Sequence, residues 1–289
     1  MNAPCMTSHL DVSQRSGIFT AMMLAHATPD LEDAAPEPAR VVLPAKGVAV
    51  RPVVFSSPHS GEHYPPALLA RSRLPLQVLR RMEDAFVDRL VAAGPEHGAQ
   101  LVCAVYARTW VDLNREASEL DLTMFADPPR GRVSCPGDRV RAGFGCLPRM
   151  AAAGLEIYDA PLSWRDAEDR LNSVHAGFHR ALAARVEAAR VLGEGRAILI
   201  DWHSMPSAAR AGRALPHIVL GDRYGAACSH KLIGAAEKAF RRLGYTVARN
   251  APYAGGYTTR HWGRPDQGVH ALQIEINRAL YMDEEAVEP

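Results

Sequence analysis

The stretch AILIDWH, residues 197–203, decides the fold. Ala197–Asp201 is a short apolar run, the mark of a buried strand, and His203 follows close behind it. Two other segments behave alike. Val53–Ser57 (VVFSS) is a short apolar run followed by Pro58 and His59. Val269–Ile276 alternates, with Leu272, Ile274 and Ile276 on one face and Gln273 and Glu275 on the other. Leu101–Val105, His217–Leu220 and Tyr245–Arg249 add further strands. Helical spacing lies between them. Pro75–Val91 places Leu79, Met82, Phe86 and Leu90 three and four apart, which predicts one helix with a buried face. Ser163 with Asp166 three residues on resembles a capping box. It opens a long helix with Leu171, Val174, Phe178, Leu182 and Val186 in one stripe. Gly225–Leu243 reads as another helix, and Asp127–Gly145 as an irregular excursion. Strands alternating with helices predict an α/β domain with a mixed, largely parallel sheet flanked by helices.

The chain has 289 residues, ample for a core that needs no disulfide or metal to hold it. Residues 1–48 differ from the rest. DLEDAAPEP (30–38) is acidic and rich in Pro and Ala, and predicts a flexible arm ahead of one domain over residues 49–289. Lys and Arg number 33 against 32 Asp and Glu, a net charge of +1. That balance argues against a nucleic-acid or membrane-surface partner gripped by bulk charge. The five cysteines form no C-x-x-C pair, so neither a disulfide framework nor a thiolate zinc site is expected, and a reducing, cytoplasmic setting fits. Ile18–Ala27 is too short for a membrane span and weak as a signal peptide.

Three polar residues fall at or just beyond strand ends: His59, His203 and Glu275. In open α/β sheets ligands bind beyond the carboxyl ends of strands, so the three point to one site. Two imidazoles and a carboxylate leave a divalent metal such as zinc an open position for water. The metal lowers that water's pKa and polarises a carbonyl, and a free carboxylate, for which Glu275 is the candidate, moves the proton. Glu275 paired with Arg278 is the structural alternative. Two residues compete as third ligand. Glu62 completes H-x-x-E with His59, and Asp84 lies on the predicted helix that follows.

The chain resembles the N-formylglutamate amidohydrolase family. The matching stretches are SPHSGEHYP (57–65), EDAFVDRL (83–90), WVDLNRE (110–116), IDWHSMPS (200–207), VLGDRYG (219–225) and NAPYAGGYTTRHWGRPDQGVHALQIEINRALYMDE (250–284). They are spread over nearly everything after residue 50. The resemblance implies the zinc-carboxypeptidase-like (phosphorylase/hydrolase-like) fold shared with aspartoacylase. It also implies hydrolysis of N-formylglutamate to formate and glutamate, the last step of one histidine-degradation route. By the same resemblance His59 and His203 are metal ligands and Glu275 is the catalytic carboxylate. Asn114 and Arg115 hold a substrate carboxylate. Asp84 is favoured over Glu62, because the acid of E-D-x-x-V-D recurs in the family where a glutamate at position 62 does not.

Such a substrate carries two carboxylates, and a guanidinium reads a carboxylate with two parallel hydrogen bonds. Arg115 is one candidate. Arg260, with Tyr257 as hydrogen-bond partner and Gly255-Gly256 to let the loop close, is the other. His175 and His179 lie four apart beside an apolar stripe and read as packing or supporting residues. Cys103 reads as a small buried apolar residue, and Ser204 lacks the surroundings of a serine nucleophile. The same site suits another N-acyl amino acid or a small peptide, and a binding protein that has lost catalysis is the reading from another class.

Overall fold

A computed structural model describes residues 35–130, 137–208 and 214–289. Most of the expected arm, the segment Ile18–Ala27, Cys5 and Cys135 lie outside them. The strands are β1 (Ala39–Val42), β2 (Val53–Ser57), β3 (Gln100–Ala104), β4 (Met150–Ala152), β5 (Leu155–Glu156), β6 (Ala197–Met205), β7 (Ile218–Gly221), β8 (Val247–Arg249) and β9 (Val269–Asn277). Seven form one sheet in the order β1-β3-β2-β6-β9-β7-β8, and β4 and β5 form a separate hairpin. The four strands β3, β2, β6 and β9 run parallel to their neighbours, as do β7 and β8. β1 on β3 and β7 on β9 are antiparallel. This is the expected mixed, largely parallel sheet. Residues Glu37–Pro289 form one compact unit. The expected boundary at residue 48 is too late, because Ala39–Val42 pair residue by residue with Leu101–Ala104.

Alternation along the two central strands explains the site. Ala197 and Leu199 of β6 and Val269 and Ala271 of β9 join one apolar core, with Phe178, Leu182, Val186 and Ala189 of the helix Ala176–Leu192. Leu272 and Ile274 face the other way, onto Ile233 and Phe240 of the helix His230–Arg242. With a period of two, Asp201 and His203 continue the first face of β6, and Gln273 and Glu275 that of β9. The strands are in register, Leu199 with Ala271, Asp201 with Gln273 and His203 with Glu275. Both strands therefore change from apolar to polar at the same level, and His203, Gln273 and Glu275 line a cavity there. Helix burial on this face is deep. Phe178 and Leu182 are fully buried, each such side chain contributing roughly 1.5–3 kcal/mol.

Two helices depart from the reading of their sequence. The helix Gly225–Leu243 begins only at His230, where Ser229 caps it by accepting from the Leu232 amide. The helix over 75–91 is broken into Leu76–Arg80 and Val87–Leu90. Residues 81–86 between them turn instead. The Asp84 amide donates to the His59 carbonyl at 2.9 Å. Arg278 donates to the carbonyl of Arg81 at 3.1 Å and to that of Glu83. These backbone groups are the ones a continuous helix would have used. Phe86 completes the break at φ 63°, a left-handed conformation uncommon outside glycine. The long helix keeps its expected course, Ser163 capping Trp164–Arg170, but contains one wide π turn at Leu171–His175.

Candidate metal centre and active site

The cavity beyond the ends of β2, β3, β6 and β9 has a volume of about 460 Å³, within the range of small-molecule sites. His59 enters from the turn after β2, held by the close packing of that turn on the end of β3. A Cβ on Gly61 would stand 2.2 Å from the Tyr106 carbonyl oxygen. His203 enters from β6 and Asp84 from the break between the two short helices. All three are at most 2% exposed. Asp84 Oδ2 lies 3.2 Å from His59 Nδ1 and 2.9 Å from His203 Nδ1, and the two Nδ1 atoms are 3.1 Å apart.

The far side of each ring is occupied. His59 Nε2 donates to Asp112 Oδ1 at 2.7 Å, and His203 Nε2 donates to Asp201 Oδ2 at 2.9 Å. A carboxylate on the second nitrogen fixes the tautomer and orients the ring, as in metal sites generally. Asp84 is held likewise, its Oδ1 accepting from Arg278 Nη2 at 3.2 Å. The donor set therefore fits a divalent metal. Three donors about 2.0–2.2 Å from a tetrahedral ion stand roughly 3.3–3.6 Å apart, a few tenths of an ångström wider than the observed triangle. Without a metal, two imidazoles and a carboxylate at this distance share protons. Burial works against a charged His203, yet the Asp201 carboxylate, with Asp84, holds it well above the ordinary histidine range. Burial would push Asp84 up, but hydrogen bonds from His203 and His59 hold it well below the usual carboxylate range. Asp112 is held low as well, Arg108 and His59 outweighing its burial.

Glu275 is opposite His203 in the strand register and 6% exposed. Burial, reinforced by the Asp84 charge and opposed by His203, pushes its carboxyl up to about 7. It accepts from Gln273 Nε2 at 2.7 Å. The alternative pairing of Glu275 with Arg278 is not what Arg278 does. Its guanidinium serves Asp84, Ser204 and two backbone carbonyls.

Asn114 and Arg115 both line the cavity. The Asn114 side chain accepts from the Thr258 amide at 2.8 Å, and its Nδ2 lies 3.2 Å from His203 Nε2. Gly256 permits this, since a Cβ there would stand 2.3 Å from Asn114 Nδ2. The Gly255-Gly256 pair thus serves close packing. Arg115 donates Nη1 to Glu119 at 3.3 Å. From the π turn and the helix after it, His175 and His179 donate to the carbonyls of Arg115 (2.9 Å) and Leu113 (3.0 Å). Burial lowers both imidazoles, His179 to about 3, so both stay neutral. They anchor the loop that carries Asn114 and Arg115.

Three sequence expectations are corrected. Glu62 is exposed and pairs with Arg89 at 3.1 Å, so the H-x-x-E spacing does not turn it toward the histidines. Arg260 lies outside the cavity, pairing with Glu116 at 2.7 Å on the surface. Tyr257 opens the helix Tyr257–Trp262, and its ring packs against His179 and His261, with centroids 5.3 and 5.2 Å away, rather than lining the cavity. Tyr253, Arg108 and Arg139 line the cavity instead. Asp201 and Gln273 were legible, two positions before His203 and Glu275 on alternating strands. Arg108 and Arg139 sit in loop and excursion, where no periodicity marks a side chain's direction.

Comparison with known proteins places the fold and the family. The model of the family N-formylglutamate amidohydrolase matches residues 51–282. An N-formylglutamate deformylase of Pseudomonas aeruginosa is 32% identical over 245 residues, 81% of this chain and 84% of that protein. One of Pseudomonas putida is 28% identical over 243 residues, covering 81% and 82%. The crystal structure of an N-formylglutamate amidohydrolase from Ralstonia eutropha JMP134 is 36% identical, with a TM-score of 0.82 over 88% of this chain and 90% of that one. A gene product of Agrobacterium tumefaciens shares the fold at 19% identity, with a TM-score of 0.51 over 87% and 89% of the two chains. From the family match and these relatives together, the chain belongs to the N-formylglutamate amidohydrolase family.

Proposed function

We propose that this protein hydrolyses the amide of N-formyl-L-glutamate to formate and L-glutamate, with His59, Asp84 and His203 holding a divalent metal, Zn²⁺ by the nature of the donors. One observation carries the reading. Three metal-type donor atoms, 2.9–3.2 Å apart, share a cavity with a buried carboxyl pushed up to about 7. The homologues' names give the reaction class, since two of them are called N-formylglutamate deformylases. When bound, the metal supplies Lewis acidity, polarising the formyl oxygen and acidifying water.

The protein's own groups do the rest. Glu275 takes a proton from the attacking water and delivers it to the departing nitrogen, so the C–N bond breaks as the new C–O bond is completed. A carboxyl near 7 suits both halves of that transfer at neutral pH. Asp112 and Asp201 keep the imidazoles aimed, and Arg278 keeps Asp84 aimed. Arg115, anchored through its carbonyl by His175, takes a substrate carboxylate. A small-molecule substrate in a cytoplasmic setting goes with this reading. Cys103, Cys146 and Cys228 are free and buried, and no helix among the described residues is long and apolar enough to cross a membrane.

The test is formate release from N-formylglutamate by purified protein, before chelation, after it and after Zn²⁺ is restored. Loss and recovery of turnover are expected. Full activity in stripped protein removes the metal from the reaction. Turnover of N-acetyl amino acids with none of the formyl substrate replaces the formyl specificity with a broader one.

A further inference from the structure

Five arginines and three carboxylates line the cavity among the described residues, so its wall is cationic before any metal is counted. Four of the guanidiniums have partners. Arg278 serves Asp84, Ser204 and two carbonyls. Arg108 donates Nε to Asp112 at 3.0 Å, and Arg115 donates Nη1 to Glu119 at 3.3 Å. Arg81 donates to the Glu285 carbonyl at 3.3 Å. Arg139, on the short helix Asp138–Arg141, differs. Among the described residues its guanidinium meets no carboxylate, and residues 131–136, which lie outside them, contain none. Its charged neighbours are mainly of its own sign, Arg115 and Arg108 against the one carboxylate of Asp112. The residue is exposed as a whole, but partial desolvation on the cavity side and the positive charges of Arg115 and Arg108 disfavour its charged form and outweigh Asp112 and Tyr253. An anion placed among the three relieves that crowding.

We propose that Arg139 binds a second carboxylate on the substrate and so makes the site selective for dianionic N-acyl amino acids over monoanionic ones. The proposal rests on the reaction above in taking an N-acyl amino acid as the ligand. Arg115 serves the carboxylate common to all such compounds. Arg139 serves the one on the side chain, where its planar fork, free of any carboxylate hydrogen bond among the described residues, takes two oxygens at once. Selectivity then resides on a helix separate from the metal donors, and its loss leaves the chemistry in place.

Glutarate and its half-amide test this without turnover, because they differ by one charge at nearly constant shape. Their binding to Zn²⁺-loaded protein is measured by calorimetry in wild type, R139Q, R139K and R81Q. Wild type is expected to prefer glutarate roughly ten- to hundredfold, the worth of one charge-assisted pair. R139Q brings the ratio near one, R139K keeps part of it, and R81Q keeps it all. Equal binding of the two acids by wild type, or a preference that survives R139Q or collapses in R81Q, overturns the proposal. Formate release by the wild type is read separately. A protein that releases none yet loses its glutarate preference in R139Q keeps the selectivity site and loses the proposed reaction.

Discussion

On the floor of the cavity His59, Asp84, His203 and Glu275 are 1–6% exposed, and each accepts from or donates to a named buried neighbour. Outside it Glu62 and Arg260 are 43% and 47% exposed, and their ion pairs run along the surface. Both regions are rich in charge, and both attract notice in the sequence. They differ in solvent. Away from water a charge is felt strongly and its orientation is fixed by partners that cannot leave. In water the same pair is screened and contributes little. The floor is therefore the place where single changes have large effects, and the distance of a residue from it predicts how large.

The sharpest test is H203A. It removes a donor from the triad, so bound metal and turnover fall together, the rate by roughly a thousandfold or more. Elemental analysis and formate release measure both, and a variant that keeps full metal and rate would break the contrast outright. E275Q comes next, lowering the rate by roughly 10²–10⁴-fold while metal content stays the same. It also has a pH signature. The Glu275 carboxyl stands at about 7 in the folded protein against an ordinary 4.5. Its contribution to stability is complete below about 4.5 and is lost as pH rises through about 7. In metal-free protein the melting temperature of E275Q relative to wild type should rise across that window. A flat difference places Glu275 in contact with solvent.

One layer out, D112N keeps all three donors but weakens the acceptor behind His59. Metal affinity falls roughly 10–100-fold, read by competition with a chelating dye. An unchanged affinity means that the ring is oriented by packing alone. The smallest effects belong to the surface. R260A and E62Q shift stability by no more than about 0.5 kcal/mol and leave hydrolysis of N-formylglutamate unaltered. A tenfold loss in R260A would return that residue to the site.

Local pattern carried much of this molecule. The apolar stripe Val174, Phe178, Leu182 and Val186 marks the long helix, and all four are buried. Ser163 marks its start. The alternation in β9 separates Leu272 and Ile274 from Gln273 and Glu275. Short-range patterns fail where distant contacts compete for the backbone. The spacing of Leu79, Met82, Phe86 and Leu90 is as regular as that of the long helix, yet the segment breaks. Arg260 and Tyr257 show a second limit. They share the short helix Tyr257–Trp262, and which face of so short a helix meets the cavity depends on the distant segments packed against it.

The sequence by itself determined which strands meet the site and which of their residues face it. A strand turns its side chains over every second residue, so His203 carries Asp201 with it and Glu275 carries Gln273. Only the tertiary structure decided between Asp84 and Glu62. Arg278, 197 positions along the chain from Arg81, binds the carbonyls of Arg81 and Glu83, and the His59 carbonyl binds the Asp84 amide. Those hydrogen bonds replace the helix's own and turn Asp84 inward. A contact of that range has no local signature, because it depends on two segments that meet only when the sheet has formed.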